Sequence, residues 1–510
     1  MKQQKKLLKI CFTSDVHGYF YPTTYGDKQE KDMGLFQCVT DFRKDEHTLI
    51  IDGGDILQGS AFAYYCKQQL KSPKLIAEIM NDCGYDYYTL GNHDFNYGQE
   101  YQSEYRNAHH GKCVCQNVTD KEGNVLYPYE IHKMPSGLRV GIVGIVTDYV
   151  NVWEKAENLA GVRVTDPFEA AKRALDELRG QVDITICIYH GGFEREVATG
   201  KVLSETKENV AYRICEELDF DILLTGHQHM SIDGQLLHGT YVVQPKDFAK
   251  EYHYLEIAVE DGKKEIYSER RIPRMKKVAK EGQQAADDDL GDALRRKYMD
   301  MEQNVQSWLD RPVGHLSREL APTDKVDMAL HGSPIADFLN RIQLYFSGAQ
   351  LSAVGLANEI MGFRKEVSMR DIIATYPYPN TLVVCKINGK QLKKAMERSA
   401  EYFAVAEDGE VQVSKSFLEP KVEHYNYDYY AGVTYDINPA KPIGNRIVNL
   451  CYQGKAVCEE DTYTFCLNNY RHTGTGGYEV YKDCEVVREI NTEIVELIME
   501  YFTQNPYIEV

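Results

Sequence analysis

Tryptophan is nearly absent, with 2 residues in 510, and proline is sparse at 16. No apolar run approaches the roughly 18 residues a spanning helix needs. The nearest is VGIVGIV at 140–146, so no membrane segment is predicted. Positive charge is short: 58 Lys+Arg stand against 77 Asp+Glu, a net −19 at pH 7. An acidic surface repels phosphodiester backbones, which argues against a nucleic-acid polymer as partner. Cysteine is plentiful at 13 but lacks pattern. Cys113 and Cys115 form the one close pair, and C-x-C is not a zinc-site spacing. An odd, scattered set of this kind predicts buried, reduced thiols, as in the cytosol. Only Leu7–Phe12, interrupted by Lys9, could serve as the apolar part of a secretory signal, and no small-residue cleavage site follows. A cytoplasmic protein is therefore expected, and the sequon Asn117-Val118-Thr119 is read as chance. No obligate protein partner is evident.

What is present is an ordinary globular composition, 43% hydrophobic and 26% charged, which excludes a disordered or low-complexity chain. The length exceeds one core and predicts two or three domains. Tyrosine is over-represented, 37 against 17 Phe. Each such ring pairs an apolar face with a polar tip.

Over residues 1–275, short β-branched runs alternate with helical patterns. Leu8–Ser14, Thr48–Ile51, Asp86–Leu90, Val140–Val146, Asp183–Tyr189 and Asp221–Thr225 read as buried strands. Pro73–Cys83 and Pro167–Leu178 read as helices with proline in the first turn. The pattern predicts an α/β domain. A polar stretch from about Met275 to Leu309 reads as an exposed connecting helix broken near Gly291, within a linker and hinge over 276–325. A second domain over 326–510 contains a predicted helix at Lys390–Ala400 and strands at Leu382–Ile387 and Tyr463–Leu467.

Five short motifs share one position, each directly after a predicted strand. FTSDVHG supplies Asp15 and His17; IDGGD supplies Asp52 and Asp55; LGNHD supplies Asn92, His93 and Asp94. IYHGG supplies His190, and TGHQH supplies His227 and His229. In open α/β sheets the carboxyl ends of strands form the ligand crevice, so the five loops can converge. Asp, His and Asn are the oxygen and imidazole donors of divalent transition metals. Any one motif could be a turn, a cap or a pair of ordinary histidines. All five in series are poorly explained by chance.

D-x-H, G-D-x-x-x-G, G-N-H-[DE], H-G-G and G-H-x-H in this order resemble the calcineurin-like metallophosphoesterases. The whole chain resembles the 5′-nucleotidase and 2′,3′-cyclic-nucleotide 2′-phosphodiesterase family. That resemblance implies a four-layer αββα domain, a linker helix and an α+β nucleotide-recognition domain. It implies two divalent ions (Mn, Zn, Co or Fe), one held by Asp15, His17, Asp55 and His229. The other is held by Asp55, Asn92, His190 and His227, with Asp55 shared. Two dications about 3.5–4 Å apart can clamp both sides of an in-line phosphoryl displacement. His93 is implied to be catalytic, stabilising the transferring phosphoryl group or protonating the leaving oxygen. Asp52 is expected to cap a turn or orient ligands.

One position departs from the typical 5′-nucleotidases, in which an aspartate follows that histidine by three residues. Here GNHDFNYG places Asn96, which can orient His93 but cannot stabilise an imidazolium as a carboxylate does. The pattern is similar to the cyclic-phosphodiesterase branch. Aromatic segments TYPYPNT and NNYRHTGTGGY resemble that branch's base-binding segments, implying Tyr378 and Tyr470 as a nucleobase sandwich with Tyr427 in reserve. The glycine turn lacks the aspartate of G-G-D-G, and the arginine motif is altered to NEIMGFR, leaving Arg364 and Arg370 as phosphate-binding candidates. The expected activity is hydrolysis of 2′,3′-cyclic nucleotides and 3′-nucleotides. The alternatives are a 5′-nucleotidase or UDP-sugar hydrolase and, more remotely, a silent nucleotide-binding protein.

Overall fold

Two six-stranded sheets of alternating inner and outer residues organise the first half of the chain. The computed structural model describes residues 5–203, 207–273, 289–378, 380–419, 421–490 and 492–510. The chain divides into two compact units, Met1–Val305 and Gln306–Val510. No helix among the described residues is long and apolar enough to cross a membrane.

In the first unit, strands β1 (Lys6–Thr13), β2 (Thr48–Asp52), β3 (Tyr87–Tyr88) and β4 (Lys112–Cys113) run parallel. The second sheet holds β5 (Glu130–Lys133), β6 (Arg139–Val146), β7 (Ile184–His190), β8 (Ile222–Thr225), β9 (Ile232–Leu237) and β10 (Thr240–Gln244). Its strands β6, β7, β8 and β10 are mutually parallel. The hairpin of β11 (Tyr252–Glu260) and β12 (Lys263–Arg271) returns antiparallel to complete the first sheet.

Side chains two residues apart share a face of a strand, and the residues obey that period. Leu8, Ile10 and Phe12 of β1 pack with Leu49 and Ile51 of β2 against Val140, Ile142, Ile184, Ile186, Ile188, Ile222 and Leu224 of the second sheet. The intervening Val143, Ile145, Cys187, Tyr189 and Leu223 turn outward onto helix α2 (Pro167–Leu178). That helix starts where Asp166 accepts a hydrogen bond from the Glu169 amide and Pro167 occupies the first turn. Phe168, Ala171, Leu175 and Leu178 line its buried face. Helix α1 (Lys74–Cys83) buries Ile76, Ala77, Ile79, Met80 and Cys83 and ends at Gly84 in a left-handed conformation. Burying each large apolar side chain contributes about 1.5–3 kcal/mol, so both the inter-sheet layer and the layer under helix α2 stabilise the unit.

The connecting segment departs from expectation. Residues 274–288 lie outside the described residues, but Gly291 does not break a helix. It lies inside Leu290–Lys297, capped by the Asp289 carboxylate, and the interruption falls at Tyr298 before Met299–Leu309. A Cβ at Gly291 would lie 2.0 Å from the Phe36 carbonyl oxygen, so glycine there permits close helix packing. Tyr298 stacks on Phe36 and is buried, so this stretch is packed rather than an exposed connector.

The second unit has a five-stranded mixed sheet in the order Asp428–Ala431, Leu351–Gly355, Thr462–Asn468, Leu382–Asn388, Val486–Ile490. Helix Gly389–Ala400 buries Leu392, Ala395 and Met396 against Val383, Cys385 and Phe465. All 13 cysteines are free thiols, most of them buried. Asn117 is buried with its amide donating to the Val146 and Thr165 carbonyls, so the sequon serves as internal structure.

Candidate metal centre

The parallel strands of both sheets end at the same edge, and the five motifs are the turns that leave it. Asp15 and His17 follow β1, Asp55 follows β2, Asn92 and His93 follow β3, His190 closes β7, and His227 and His229 follow β8. Non-glycine residues rarely adopt positive φ. Yet Asp15 (54°), His17 (52°), Asp55 (62°), His227 (70°) and His229 (56°) all do. Each such residue costs on the order of 1–3 kcal/mol, and such strain concentrates at functional sites. Small residues let the loops close. Gly54, at φ 94°, would place a Cβ 2.4 Å from the Gly91 amide nitrogen, and a Cβ at Gly91 would lie 2.1 Å from Asp55 Oδ1.

All seven residues meet. Ligand-capable atoms of Asp15, His17 and His229 lie within 4.8 Å of one another, as do those of Asp15, Asp55 and His190. Asp55 Oδ2 is 3.2 Å from His190 Nε2 and 3.8 Å from His17 Nε2, so one carboxylate faces both groups. Asn92 Oδ1 is 3.2 Å from His190 Nε2 and 2.8 Å from His227 Nδ1.

The outer contacts of the histidines decide what the inner nitrogens can do. His17 Nδ1 meets the Gln58 carbonyl at 2.7 Å and His190 Nδ1 meets the Gly53 carbonyl at 2.7 Å. A carbonyl only accepts, so both Nδ1 atoms donate, and each neutral ring turns a bare Nε2 lone pair inward. His227 is held the other way round, with Nε2 at 2.9 Å from Glu208 Oε1 and Nδ1 inward. His229 Nδ1 lies 3.4 Å from Asp247 Oδ2 and presents Nε2, 3.4 Å from Asp15 Oδ1. Lone pairs of neutral rings would therefore face carboxylate and amide oxygens, acceptor against acceptor, unless a cation or a proton sits between them. Such a cage fits a cation, and the tethers are those that orient metal-binding histidines.

The electrostatics point the same way. Burial opposes a charge on His190, yet Asp55 and Asp15 overcome it and raise its pKa to about 10. A proton there occupies the place that a cation would take. Burial holds His17 down at about 4, against the pull of Asp55, so the ring is neutral at neutral pH, with Nε2 3.3 Å from His229 Nε2. Burial would also raise Asp15 and Asp55, but His190 with His229, and His190 with His93, keep both below the usual carboxylate range.

As a ligand, His190 would make metal binding pH-dependent. A bound ion must displace a proton held up to about pH 10, so metal affinity is weakest at acidic pH and climbs as pH rises. The slope expected for one displaced proton is about tenfold per pH unit. Calorimetric Mn²⁺ titrations of chelator-stripped protein at pH 6, 7, 8 and 9, in buffers of different ionisation heat, read both affinity and proton release. A pH-independent affinity without proton release contradicts this.

His93 stands beside the cage rather than in it. Its ring centroid is 5.2 Å from that of His17, its amide donates to Asp55 Oδ1 at 2.7 Å, and its Nδ1 meets Asn96 Oδ1 at 2.8 Å. Asp52 closes its turn by accepting from the Gly54 amide and the Thr13 hydroxyl. Asp94 staples two motif loops, accepting backbone N–H bonds from Gly91, Asp55, Ile56 and Leu57 at 2.8–3.0 Å. Sequence reasoning missed Glu208 and Asp247, which lie in loops without a motif. Trp153, stacked on His227 at 5.6 Å, carried one available signal, the rarity of tryptophan.

In the second unit, Tyr378 and Tyr470 are both half-buried. Burial, then Glu423, Tyr470 and Tyr378, push the Tyr425 phenol up, so these three tyrosines share one neighbourhood. Arg471 ties their loops together. It is buried, pairs with Asp428 Oδ1 at 3.1 Å, and donates to the Tyr425 and Thr475 carbonyls. Two expectations are corrected. Tyr427 is a core residue packed on Tyr402 and Tyr429, its hydroxyl donating to the Ala329 carbonyl, and offers no free face to a base. Arg364 is exposed, and its Nε and Nη2 pair with Asp371, at 2.8 and 3.2 Å, and the Ser368 hydroxyl. Arg370 is buried against Asp310 and Gln306. Arg370 is thus held away from a phosphate, whereas the exposed Arg364 stays a candidate.

Comparison with known proteins agrees with this architecture. The family model for calcineurin-like phosphoesterase matches residues 8–231, and that for the 5′-nucleotidase C-terminal domain matches residues 312–483. A 2′,3′-cyclic-nucleotide 2′-phosphodiesterase/3′-nucleotidase of Haemophilus influenzae is 26% identical over 97% of this chain and 85% of its own length. The trifunctional nucleotide phosphoesterase protein YfkN of Bacillus subtilis is 24% identical over 98% of this chain, which spans 38% of that longer protein. A crystal structure from Staphylococcus aureus, of a protein provisionally named a 5′-nucleotidase and bound to alpha-ketoglutarate, superimposes with a TM-score of 0.88. It is 31% identical, over 99% of this chain and 100% of that one.

Proposed function

We propose, from the premise that the chain belongs to the calcineurin-like phosphoesterases with a 5′-nucleotidase C-terminal domain, that this phosphoric ester hydrolase acts on 2′,3′-cyclic nucleotides and 3′-nucleotides. The observation that carries the reading is the pairing at His93. Its Nδ1 is held by the Asn96 amide and not by a carboxylate. The named activity of the Haemophilus influenzae relative supports the same choice.

Two divalent ions would polarise phosphoryl oxygens and bring the pKa of water towards neutrality. Asp15, His17, Asp55 and His229 would hold one, and Asp55, Asn92, His190 and His227 the other. The chain's own part is positional. Gln58, Gly53, Glu208 and Asp247 fix the four imidazoles. His93 donates Nδ1–H to Asn96, so only its doubly protonated form would carry an Nε2 proton to hydrogen-bond a phosphoryl oxygen or pass to the leaving oxygen. Tyr378 and Tyr470 would stack the base, each contributing roughly 1–3 kcal/mol.

The test is a side-by-side kcat/KM for 2′,3′-cyclic AMP, 3′-AMP, 5′-AMP and a UDP-sugar with Mn²⁺-loaded protein. The reading predicts preference for the first two. A strong preference for 5′-AMP would establish the 5′-nucleotidase alternative, and no turnover of any of them would refute a nucleotide hydrolase.

A further inference from the structure

The Asn96 amide is engaged on both sides. Its Oδ1 faces His93 Nδ1 at 2.8 Å, while its Nδ2 donates to Glu154 Oε2 at 2.7 Å. Glu154 is the residue at which the short helix Val150–Trp153 ends. Its extended backbone (φ −92°, ψ 148°) leaves the helical path at that point. Its other oxygen accepts from the Lys155 amide and from Asn158 Nδ2, both at 2.8 Å, and Asn158 Nδ2 also reaches the Asn96 carbonyl at 2.8 Å. The residue before it, Trp153, stacks on His227. One short segment thus touches the candidate general acid's partner and a candidate metal ligand at once.

An amide has a donor end and an acceptor end, and alone it can present either to a histidine. An ionised carboxylate only accepts. Glu154 therefore compels Asn96 to turn its NH₂ away from His93 and its oxygen towards it. That oxygen in turn requires the proton of a neutral His93 to sit on Nδ1, leaving Nε2 as the lone pair that takes up the second proton a general acid delivers. We propose that Glu154 is a positioning residue for His93, acting through Asn96 and replacing at one remove the carboxylate that this position lacks. The proposal deepens the hydrolase reading and rests on it for its effect on turnover. The placement of the proton does not depend on that reading.

Three full-length variants test it: Glu154→Gln, Asn96→Asp, and the double variant Asn96→Asp/Glu154→Gln. In the first, the new side-chain amide can present its own NH₂ and no longer dictates the orientation of Asn96. In the double variant the carboxylate moves to position 96, accepting from His93 on one side and from the introduced amide at position 154 on the other. Loss of an outer orienting partner typically costs 10–100-fold, and Glu154→Gln is expected to lower kcat by about that factor. KM, metal content and melting temperature should stay near wild type. The double variant should recover kcat to within about threefold, a rescue that a merely structural role for Glu154 would not give. Two-bond ¹H–¹⁵N spectra of the histidines at pH 8.5 should show His93 as the Nδ1–H tautomer in wild type and as a mixture in Glu154→Gln. Unchanged kcat in Glu154→Gln, a double variant no better than the single, or an Nε2–H tautomer in wild type would overturn the proposal. The tautomer readout holds whether or not nucleotides are turned over, so failure of the relay is distinguishable from failure of the hydrolase reading.

Discussion

Asp55→Asn is expected to reduce kcat/KM by at least about 10³-fold while leaving the protein folded. The magnitude follows from charge: stabilisation by bound ions is worth several kcal/mol, and each 1.4 kcal/mol is about a factor of ten. Asp55 faces His17 and His190 with the same oxygen, at 3.8 and 3.2 Å, so its charge serves both halves of the cage. Asparagine keeps the volume, tolerates the left-handed φ of 62° and can still accept the His93 amide. The fold is spared and the anion is lost. Metal analysis after dialysis should accompany the kinetics, and a variant with full metal content and full activity would refute the role given to Asp55.

His93→Gln should have the second largest effect, with a different signature. A positioned general acid contributes about 10²–10⁴-fold, and that loss should fall on kcat with metal content unchanged. His93 contacts the cage through its backbone amide, which the substitution retains. Substrates with a good leaving group, such as 4-nitrophenyl phosphate, need less protonation of the departing oxygen and should lose less. An equal loss for all leaving groups would assign His93 to phosphoryl stabilisation, and no loss would remove it from the reaction.

The strands that lead into the motifs and the seven cage residues were legible in the sequence for one physical reason, whereas the hairpin Tyr252–Glu260 and Lys263–Arg271 was not. Each motif is local, a few residues at the end of a β-branched run, and a parallel sheet places all such ends together. The residues that orient the cage were not legible. Glu208 precedes His227 by 19 residues and Asp247 follows His229 by 18, in loops with no periodicity. Their use depends on tertiary placement, which spacing does not encode. Tyr427 was misread because a tyrosine packing beside a strand and one stacking on a base look alike in sequence. Only its buried hydroxyl bond to Ala329 separates them. Gly291 was misread as a break because glycine marks both helix ends and close helix contacts, and here it does the latter.

The scarcity noted at the outset takes on meaning in the same way. One of the two tryptophans stacks on a cage histidine, and its neighbour Glu154 holds Asn96. The acidic balance of −19 disfavours polymers of phosphate but not a small anion, because bound dications would make this one pocket locally positive.

The most direct measurement is turnover of 2′,3′-cyclic AMP as Mn²⁺ is titrated into chelator-stripped protein, at protein concentrations well above the dissociation constant. The account predicts negligible activity at the start and a plateau at two equivalents of metal. Full turnover in the stripped protein, or a plateau at one equivalent, would contradict it.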